Sequence, residues 1–190
     1  MTGVGGRGPR GGVAGEPFGA DFRVWVPVDV RFSDFDDQGH VNNAVYLTYF
    51  EQGRMGYFDA VRRAALAAAL GTGADAGDAP ESGRTIRVAP AATNGRLELP
   101  LVVSDAHIAY RQPIAAMVPI SVGVRTTRLG RASLVLEYAV RASREGTLYA
   151  TGGTTIVCVD LATGRPRGLP PWTLDAVRRV EAGQAKDGRA

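Results

Sequence analysis

The most concentrated set of reactive side chains in this sequence lies at residues 34–43, which read DFDDQGHVNN. The set contains three carboxylates, one imidazole and several side-chain amides, directly before a segment that we predict to be a helix. The first N–H groups of a helix are unpaired and lie at its positive end, so they can polarise a carbonyl oxygen and stabilise an oxyanion. A nearby carboxylate can act as a nucleophile or as a general base toward water. These residue types therefore point to acyl transfer from an ester or a thioester.

The same residues also have a purely structural interpretation. Acidic residues commonly precede helices because they favour the helix dipole, and Asn and Asp are frequent in turns. Composition alone leaves both interpretations open.

Hydrophobic periodicity predicts the elements that must position this segment. Residues Phe22–Phe32 alternate between apolar and polar, which is typical of a strand. Residues Asn43–Arg63 carry apolar side chains at three- and four-residue spacing, which predicts a helix with Asn42 or Asn43 as its N-cap. Strand patterns return four times after residue 98, at Leu99–Gln112, Ile120–Arg128, Ala132–Ala142 and Leu148–Val159. This order predicts an α+β domain in which a curved, mostly antiparallel five-stranded sheet wraps around one long helix.

Two glycines interrupt the predicted helix. Gly53 and Gly56 lie on the same face as Tyr46 and Tyr49, and each costs about 1 kcal/mol relative to alanine. We expect a sheet or a partner helix to approach closely at this face, with a helix kink as the alternative.

Glycine and net charge are concentrated outside this predicted core. The net charge is +3, but residues 17–177 contain sixteen basic and sixteen acidic residues, so we predict no nucleic-acid partner. Eight of the 25 glycines lie in residues 1–19 and five in residues 71–95. We accordingly predict four segments: a disordered tail at 1–17, a domain at 18–171, a long loop insert within it at 71–96 that contains a short strand at Thr85–Val88, and a short helix (Trp172–Glu181) with a flexible tail at 172–190.

The chain carries few groups that could bind a metal. It has one cysteine, Cys158, and two histidines, His40 and His107, without metal-ligand spacing, so we predict no metal site and no disulfide. A single cysteine fits a reducing cytoplasm, and no apolar run approaches the roughly 20 residues of a spanning helix. We expect a cytoplasmic protein without a membrane span.

Residues 30–47 (VRFSDFDDQGHVNNAVYL), followed by Phe50-Glu51 and Arg54, closely resemble the opening of the 4-hydroxybenzoyl-CoA thioesterase-like hotdog family. Residues 108–113 (IAYRQP), 129–133 (LGRAS) and 157–160 (VCVD) are similar to later signatures of that family, so the resemblance covers about residues 20–171 apart from the insert. It implies a hotdog fold and hydrolysis of an acyl-CoA thioester at a subunit interface, in a homodimer or homotetramer. Coenzyme A would be part of the substrate, and no separate cofactor is implied.

The resemblance also assigns roles to individual residues. The catalytic carboxylate would be Asp36, the second Asp of the Asp-x-Asp pair. Gly39 would let the loop pass close to the thioester, and Tyr46 would line the site. Asn42 and Asn43 would belong to the supporting loop, with backbone N–H groups from about residue 43 to residue 46 polarising the carbonyl. Asn43 stands where some members carry His, a departure that concerns substrate preference more than fold.

Four further residues are weaker candidates. His40 is expected to order the loop by hydrogen bonding, or to act as a base as in hotdog dehydratases. Glu51 is the catalytic carboxylate position of another hotdog class, but it is more readily paired with Arg54 or with a partner chain. Arg128 and Arg131 flank a short connector and could contact CoA phosphates, since arginine suits bidentate phosphate binding.

The leading functional hypothesis is thus an acyl-CoA thioesterase that uses Asp36. Two alternatives remain. One is an enoyl-CoA hydratase or dehydratase that uses His40, and the other is a non-catalytic module that binds acyl-CoA.

Overall fold

The computed structural model describes residues 22–69 and 99–182, which form one five-stranded sheet and two α-helices. In chain order the elements are β1 (Val24–Val28), α1 (Val45–Ala69), β2 (Leu101–Tyr110), β3 (Ile120–Leu129), β4 (Ser133–Ala142), β5 (Leu148–Cys158) and α2 (Pro171–Ala182). The predicted tail at 1–17, the insert at 71–96 with its short strand, and the end of the C-terminal tail lie outside the described residues.

The sheet has the strand order β1-β3-β4-β5-β2, and every neighbouring pair is antiparallel. The connectors at 129–131 and 143–146 form the β3–β4 and β4–β5 hairpins, as their lengths predicted. With α1 packed on β1 and β3, this arrangement confirms the predicted α+β hotdog fold.

Helix α1 differs from its predicted bounds at both ends. It begins two residues later than expected, and it continues to Ala69 because the alanine-rich stretch at 64–69 favours helix. Leu47 shares the apolar spacing but is 46% exposed, whereas Phe50, Tyr57 and Val61 are buried. The buried stripe therefore lies to one side of the face that apolar spacing alone indicates.

Strand β1 is shorter than the predicted Phe22–Phe32. It ends at Val28, and the chain then enters a 3₁₀ turn at Phe32–Asp34. Residues 29–31 connect this strand to the turn and belong to no strand.

The two helix glycines mark a close approach between helix and sheet, as predicted. A Cβ added to Gly53 would lie 2.6 Å from Val122 Cγ1, and one added to Gly56 would lie 2.5 Å from Val26 Cγ2. Helix α1 runs without a break from Val45 to Ala69, and the close approach accounts for both glycines. The glycines allow α1 to lie directly on β3 and β1.

We expect Gly53→Ala to destabilise the protein by about 1–3 kcal/mol, the usual cost of overpacking a core. Without the close approach, alanine would instead stabilise the helix by about 1 kcal/mol. Chemical denaturation gives the sign of the change, and Gln52→Ala at the exposed neighbouring position serves as the control. A Gly53→Ala variant more stable than wild type would contradict the close approach.

Helix α2 folds back onto α1 and the end of β3, and it buries Thr173, Ala176 and Val177. Neither α1 nor α2 is long and apolar enough to cross a membrane.

Candidate active site

Residues 34–43, which we call the acidic loop, form a small closed loop. Phe35 and Val41 pair across an antiparallel bridge. Inside it, the Asp36 N–H donates to the His40 carbonyl (2.9 Å) and the Gly39 N–H donates to the Asp36 carbonyl (3.0 Å). Gly39 has a φ of 76°, a left-handed conformation that favours glycine. The conformation of the turn thus explains why glycine occupies position 39. The predicted close approach of Gly39 to a thioester stays a prediction.

Two backbone hydrogen bonds join this loop to the rest of the fold. The Val41 N–H donates to the Ile114 carbonyl (2.9 Å), in the segment that leads into β3. The Asn42 N–H donates to the Asp34 carbonyl (2.8 Å), in the 3₁₀ turn. The loop is consequently held from both sides in front of α1.

Asp34 is the buried anchor of the loop, with only 1% of its surface exposed. Its Oδ1 accepts from Nε and Nη2 of Arg31 (3.0 and 2.8 Å), and its Oδ2 accepts from the Arg31 backbone N–H and the Tyr49 hydroxyl (both 2.8 Å). Burial by itself would raise the pKa of the Asp34 carboxyl, but these hydrogen bonds outweigh it and hold the pKa below its ordinary value. Sequence reasoning did not single out this role, although Arg31 three residues before Asp34 was a usable signal.

The hydrogen bond between Tyr49 and Asp34 shifts the pKa of Tyr49 upward, opposite to its effect on Asp34. Burial, together with its hydrogen bond to the negative Asp34, raises the pKa of the Tyr49 hydroxyl. The hydroxyl therefore stays protonated and continues to donate to Asp34.

The three carboxylates of the loop have three different environments. Both carboxylate oxygens of Asp34 accept hydrogen bonds, and Asp37 is exposed. Asp36 is half-buried, and its Oδ1 accepts the Gln38 N–H (2.9 Å). Its Oδ2 accepts no hydrogen bond from the described residues. Asp36 is thus a positioned carboxylate with one oxygen available for chemistry.

Unpaired N–H groups lie at the start of α1, directly after this loop. Asn42 caps the helix as predicted, because its Oδ1 accepts the Ala44 N–H and its carbonyl accepts the Val45 N–H (both 2.9 Å). Across the described residues, the N–H groups of Asn43 and Tyr46 find no acceptor. They are the donors that the helix start could offer to a carbonyl oxygen.

Tyr46 is buried beneath the helix start. Its ring lies edge-on to the ring of Tyr110 with centroids 5.2 Å apart, and burial raises the pKa of its hydroxyl. Tyr110 in turn donates from its hydroxyl to the Asn43 carbonyl (2.9 Å). In the single chain these tyrosines support the helix start, and the site-lining role of Tyr46 stays a prediction.

Arg128 and Arg131 are not near the acidic loop of the same chain. Residues 53 and 57 of α1 contact residues 122–126 of β3, so helix and strand run in the same direction. The helix start therefore lies at the beginning of β3, and both arginines lie at or beyond its other end. Positions 45 and 57 are twelve residue steps apart along α1, which corresponds to about 18 Å.

The two arginines line a cleft of about 460 Å³ between the β3–β4 hairpin and α2. Helix α2 adds a third arginine, Arg178, which was not a candidate in the sequence. The apolar lining is Leu129, Leu174 and Val177.

Glu51 lies in a separate groove of about 260 Å³ between α1 and strands β2 and β5. Its carboxylate is 3.8 Å from the Arg54 guanidinium, the pairing expected from the sequence. The structure does not bring Glu51 into the acidic loop.

The two histidines occupy unrelated places. His40 orders the loop through its backbone carbonyl, and His107 is exposed on β2. Cys158 is buried in the core. Within residues 22–69 and 99–182, no three His, Cys, Asp or Glu side chains are grouped so as to hold a metal ion.

A five-stranded antiparallel sheet packed on one central helix, with an acidic loop at the helix start, is the hotdog architecture. Residues 30–177 match the family model described as the thioesterase-like superfamily, and the chain belongs to this superfamily. The resemblance found in the sequence is confirmed at the level of the family. No curated protein sequence is similar enough to count as a relative.

Solved structures share the fold. A thioesterase from Thermus thermophilus, crystallised with coenzyme A and zinc, is 32% identical, and the alignment covers 87% of this chain and 99% of that one, with a TM-score of 0.62. A DHNA-CoA thioesterase from Staphylococcus aureus is 20% identical over 83% and 90% of the two chains, with a TM-score of 0.60. A 1,4-dihydroxy-2-naphthoyl-CoA thioesterase from Synechocystis is 15% identical over 81% and 94%, with a TM-score of 0.58. At these lower identities the last two show the fold alone.

Proposed function

We propose that this protein hydrolyses an acyl-CoA thioester to a free acid and coenzyme A, with Asp36 as the nucleophile or general base. The observation that carries the proposal is a half-buried carboxylate with one unengaged oxygen, held in a closed loop directly before two unpaired N–H groups of a helix start. The coenzyme A bound to the Thermus relative supports the substrate class.

The chemistry follows from this arrangement. Attack on the thioester carbonyl carbon moves an electron pair onto the carbonyl oxygen, and the N–H groups of Asn43 and Tyr46 stabilise that oxyanion. As a general base, Asp36 takes a proton from the attacking water. As a nucleophile, it forms an acyl anhydride that water then hydrolyses. In both cases the oxyanion collapses and CoA leaves as a thiolate, which takes a proton afterwards, so no strong acid is needed at the leaving group.

Asp34 supports this chemistry without touching the substrate. Its hydrogen bonds to Arg31 and Tyr49 hold the 3₁₀ turn, and its carbonyl accepts the Asn42 N–H at the other end of the loop. The position of Asp36 relative to the helix start depends on both connections.

A homodimer would complete the site. Strand β2 is at the edge of the sheet and pairs only with β5 in the described part of the chain, while Val102 and Val103 on it are each 45% exposed. An unpaired edge of ten residues is a template for pairing with a second copy. Sedimentation should show a dimer or a tetramer at micromolar concentration, and a monomer at that concentration would contradict the shared site.

The arginine-lined cleft is assigned to the phosphate groups of coenzyme A. A two-fold axis through paired β2 strands reverses the partner's direction, so the partner's hairpin would lie at the same end of the dimer as this chain's helix start. Arg128 and Arg131 would then contact the CoA bound at the neighbouring acidic loop, which explains their distance from Asp36 of their own chain.

A substrate panel tests the function. The wild-type protein should hydrolyse at least one acyl-CoA, with a lower KM than for the matched acyl-pantetheine that lacks the nucleotide. Activity should survive exhaustive chelation, because the proposed reaction needs no cofactor. We assign the protein to the cytoplasm on the basis of its single cysteine, the buried Cys158. Enoyl-CoA hydration that depends on His40 without thioester cleavage, or tight acyl-CoA binding without turnover, would contradict the proposal.

A further inference from the structure

Glu181, in the last turn of α2, connects three elements through one carboxylate oxygen. Its Oε1 accepts the Tyr57 hydroxyl (2.5 Å) and the Thr126 backbone N–H (2.6 Å). The Tyr57 and Thr126 hydroxyls are also 2.7 Å apart. We call these three residues the α2 latch, because they join α2 to α1 and to β3.

The latch fills a gap in the sheet. Strand β1 pairs with β3 only as far as Val124, two residues before Thr126. Among the described residues no strand offers an acceptor to the Thr126 N–H beyond that point, and Glu181 supplies one. Hydrogen bonds to a charged acceptor are stronger than neutral ones, so this contact holds the end of α2 firmly against β3.

The latch also holds Tyr57 in its neutral form. Burial, together with the neighbouring charge of Glu181 and the hydrogen bond to it, raises the pKa of the fully buried Tyr57 hydroxyl. The donor that Glu181 requires is therefore present throughout the neutral pH range.

The latch lies at the edge of the arginine-lined cleft. Leu174, Val177, Arg178 and Glu181 recur at three- and four-residue spacing, so one face of α2 forms one wall. The opposite wall is residues 126–131, which include Arg128 and Arg131. The separation between the two walls, and so between Arg178 and the hairpin arginines, depends on where α2 is held.

We infer that Glu181 is a positioning residue that sets the width of this cleft and thereby its affinity for the phosphate groups of coenzyme A. The inference rests on the proposed function. Glu181 acts through its hydrogen bonds, since its own negative charge would repel an anion. Removing the acceptor should therefore weaken CoA binding, whereas removing the charge while keeping the acceptor should not.

The test compares Glu181→Ala, Glu181→Gln and Tyr57→Phe with wild type. Glu137→Ala is the matched control, because it removes a carboxylate that binds Arg125 at 2.7 Å outside the cleft. CoA binding is measured by calorimetry, and kcat/KM is measured for an acyl-CoA and for its matched acyl-pantetheine. We expect Glu181→Ala to weaken CoA binding about tenfold and to lower the ratio of the two kcat/KM values by a similar factor.

The conservative variants separate positioning from general damage. Glu181→Gln should bring CoA affinity back to within about threefold of wild type, since its amide oxygen can still accept both hydrogen bonds. Tyr57→Phe should weaken CoA binding by a smaller factor than Glu181→Ala, and it provides the test if Glu181→Ala does not fold. Glu137→Ala should bind CoA as wild type does.

Three results would overturn the inference. They are equal loss with both thioesters in Glu181→Ala, unchanged CoA binding in Glu181→Ala, and failure of Glu181→Gln to recover affinity. These differ from failure of the proposed function, in which the wild-type protein hydrolyses no acyl-CoA. Calorimetry with CoA itself would still report on the latch in that case.

Discussion

Replacing Asp36 by Asn should lower kcat for the best acyl-CoA by about 100- to 10,000-fold, the range expected when a general base is removed. The variant is nearly isosteric, and its side-chain oxygen can still accept the Gln38 N–H that orders the loop. What it loses is the negative charge needed to attack the carbonyl carbon or to accept a proton from water. The midpoint of chemical denaturation should therefore stay close to that of wild type.

The neighbouring Asp37 offers a matched control. Asp37→Asn removes the same charge one residue away, but from an exposed side chain without an assigned partner. Its kcat should stay within about twofold of wild type, since substitutions at exposed positions without specific contacts usually have small effects on the folded protein. Full activity in Asp36→Asn, or an equal loss in Asp37→Asn, would contradict the assignment of Asp36.

A single turnover in ¹⁸O-labelled water separates the two roles of Asp36. If Asp36 is the nucleophile, water attack on the Asp36 carbonyl of the anhydride leaves the label in the enzyme, and mass spectrometry of the peptide detects it. If Asp36 is a general base, the label enters only the released acid.

The second large effect is expected for Asp34→Ala. The substitution leaves the buried Tyr49 hydroxyl without its acceptor and removes the four hydrogen bonds that hold the 3₁₀ turn. An unsatisfied buried polar group costs about 1–3 kcal/mol, so the free energy of unfolding should fall by at least that amount. Activity should fall as well, because the loop that carries Asp36 loses its anchor.

Asp175→Ala is the control for this stability measurement. Asp175 pairs with Arg178 at 3.4 Å, but both side chains are exposed, and such pairs contribute about 0–1 kcal/mol. A loss in Asp34→Ala no larger than that in Asp175→Ala would show that the buried network does not stabilise the fold.

The pH dependence of the Asp34 contribution has a defined sign. The folded protein lowers the pKa of Asp34 below its ordinary value of 3.8, so folding favours the charged carboxylate. The stabilisation is complete above that ordinary value and is lost as the pH falls through the lower, folded pKa. The stability difference between wild type and Asp34→Ala should therefore be constant from about pH 5 to pH 8 and shrink below about pH 4. A difference that grows on acidification would contradict this account.

The sequence by itself determined the class of the protein. Alternation in β1 and in the four later strands, and the three- and four-residue spacing in α1, are local patterns that a short window of residues contains. The motif around Asp36 and the helix start is also contiguous, which is why the family, the fold and the candidate carboxylate could be proposed together. The close approach of helix and sheet at Gly53 could also be predicted, since glycine inside a helix lowers helix stability and close packing explains why it is present.

Only the tertiary structure decided what each carboxylate does. Asp34 and Asp36 look alike in the sequence, but Asp34 meets a tyrosine fifteen residues later and is buried, whereas Asp36 keeps one oxygen unengaged. Glu181 meets Tyr57 from 124 residues away, and the cleft that it borders combines a hairpin with a helix more than 40 residues later. Burial and such hydrogen bonds depend on which distant segments pack together, and no local pattern contains that information.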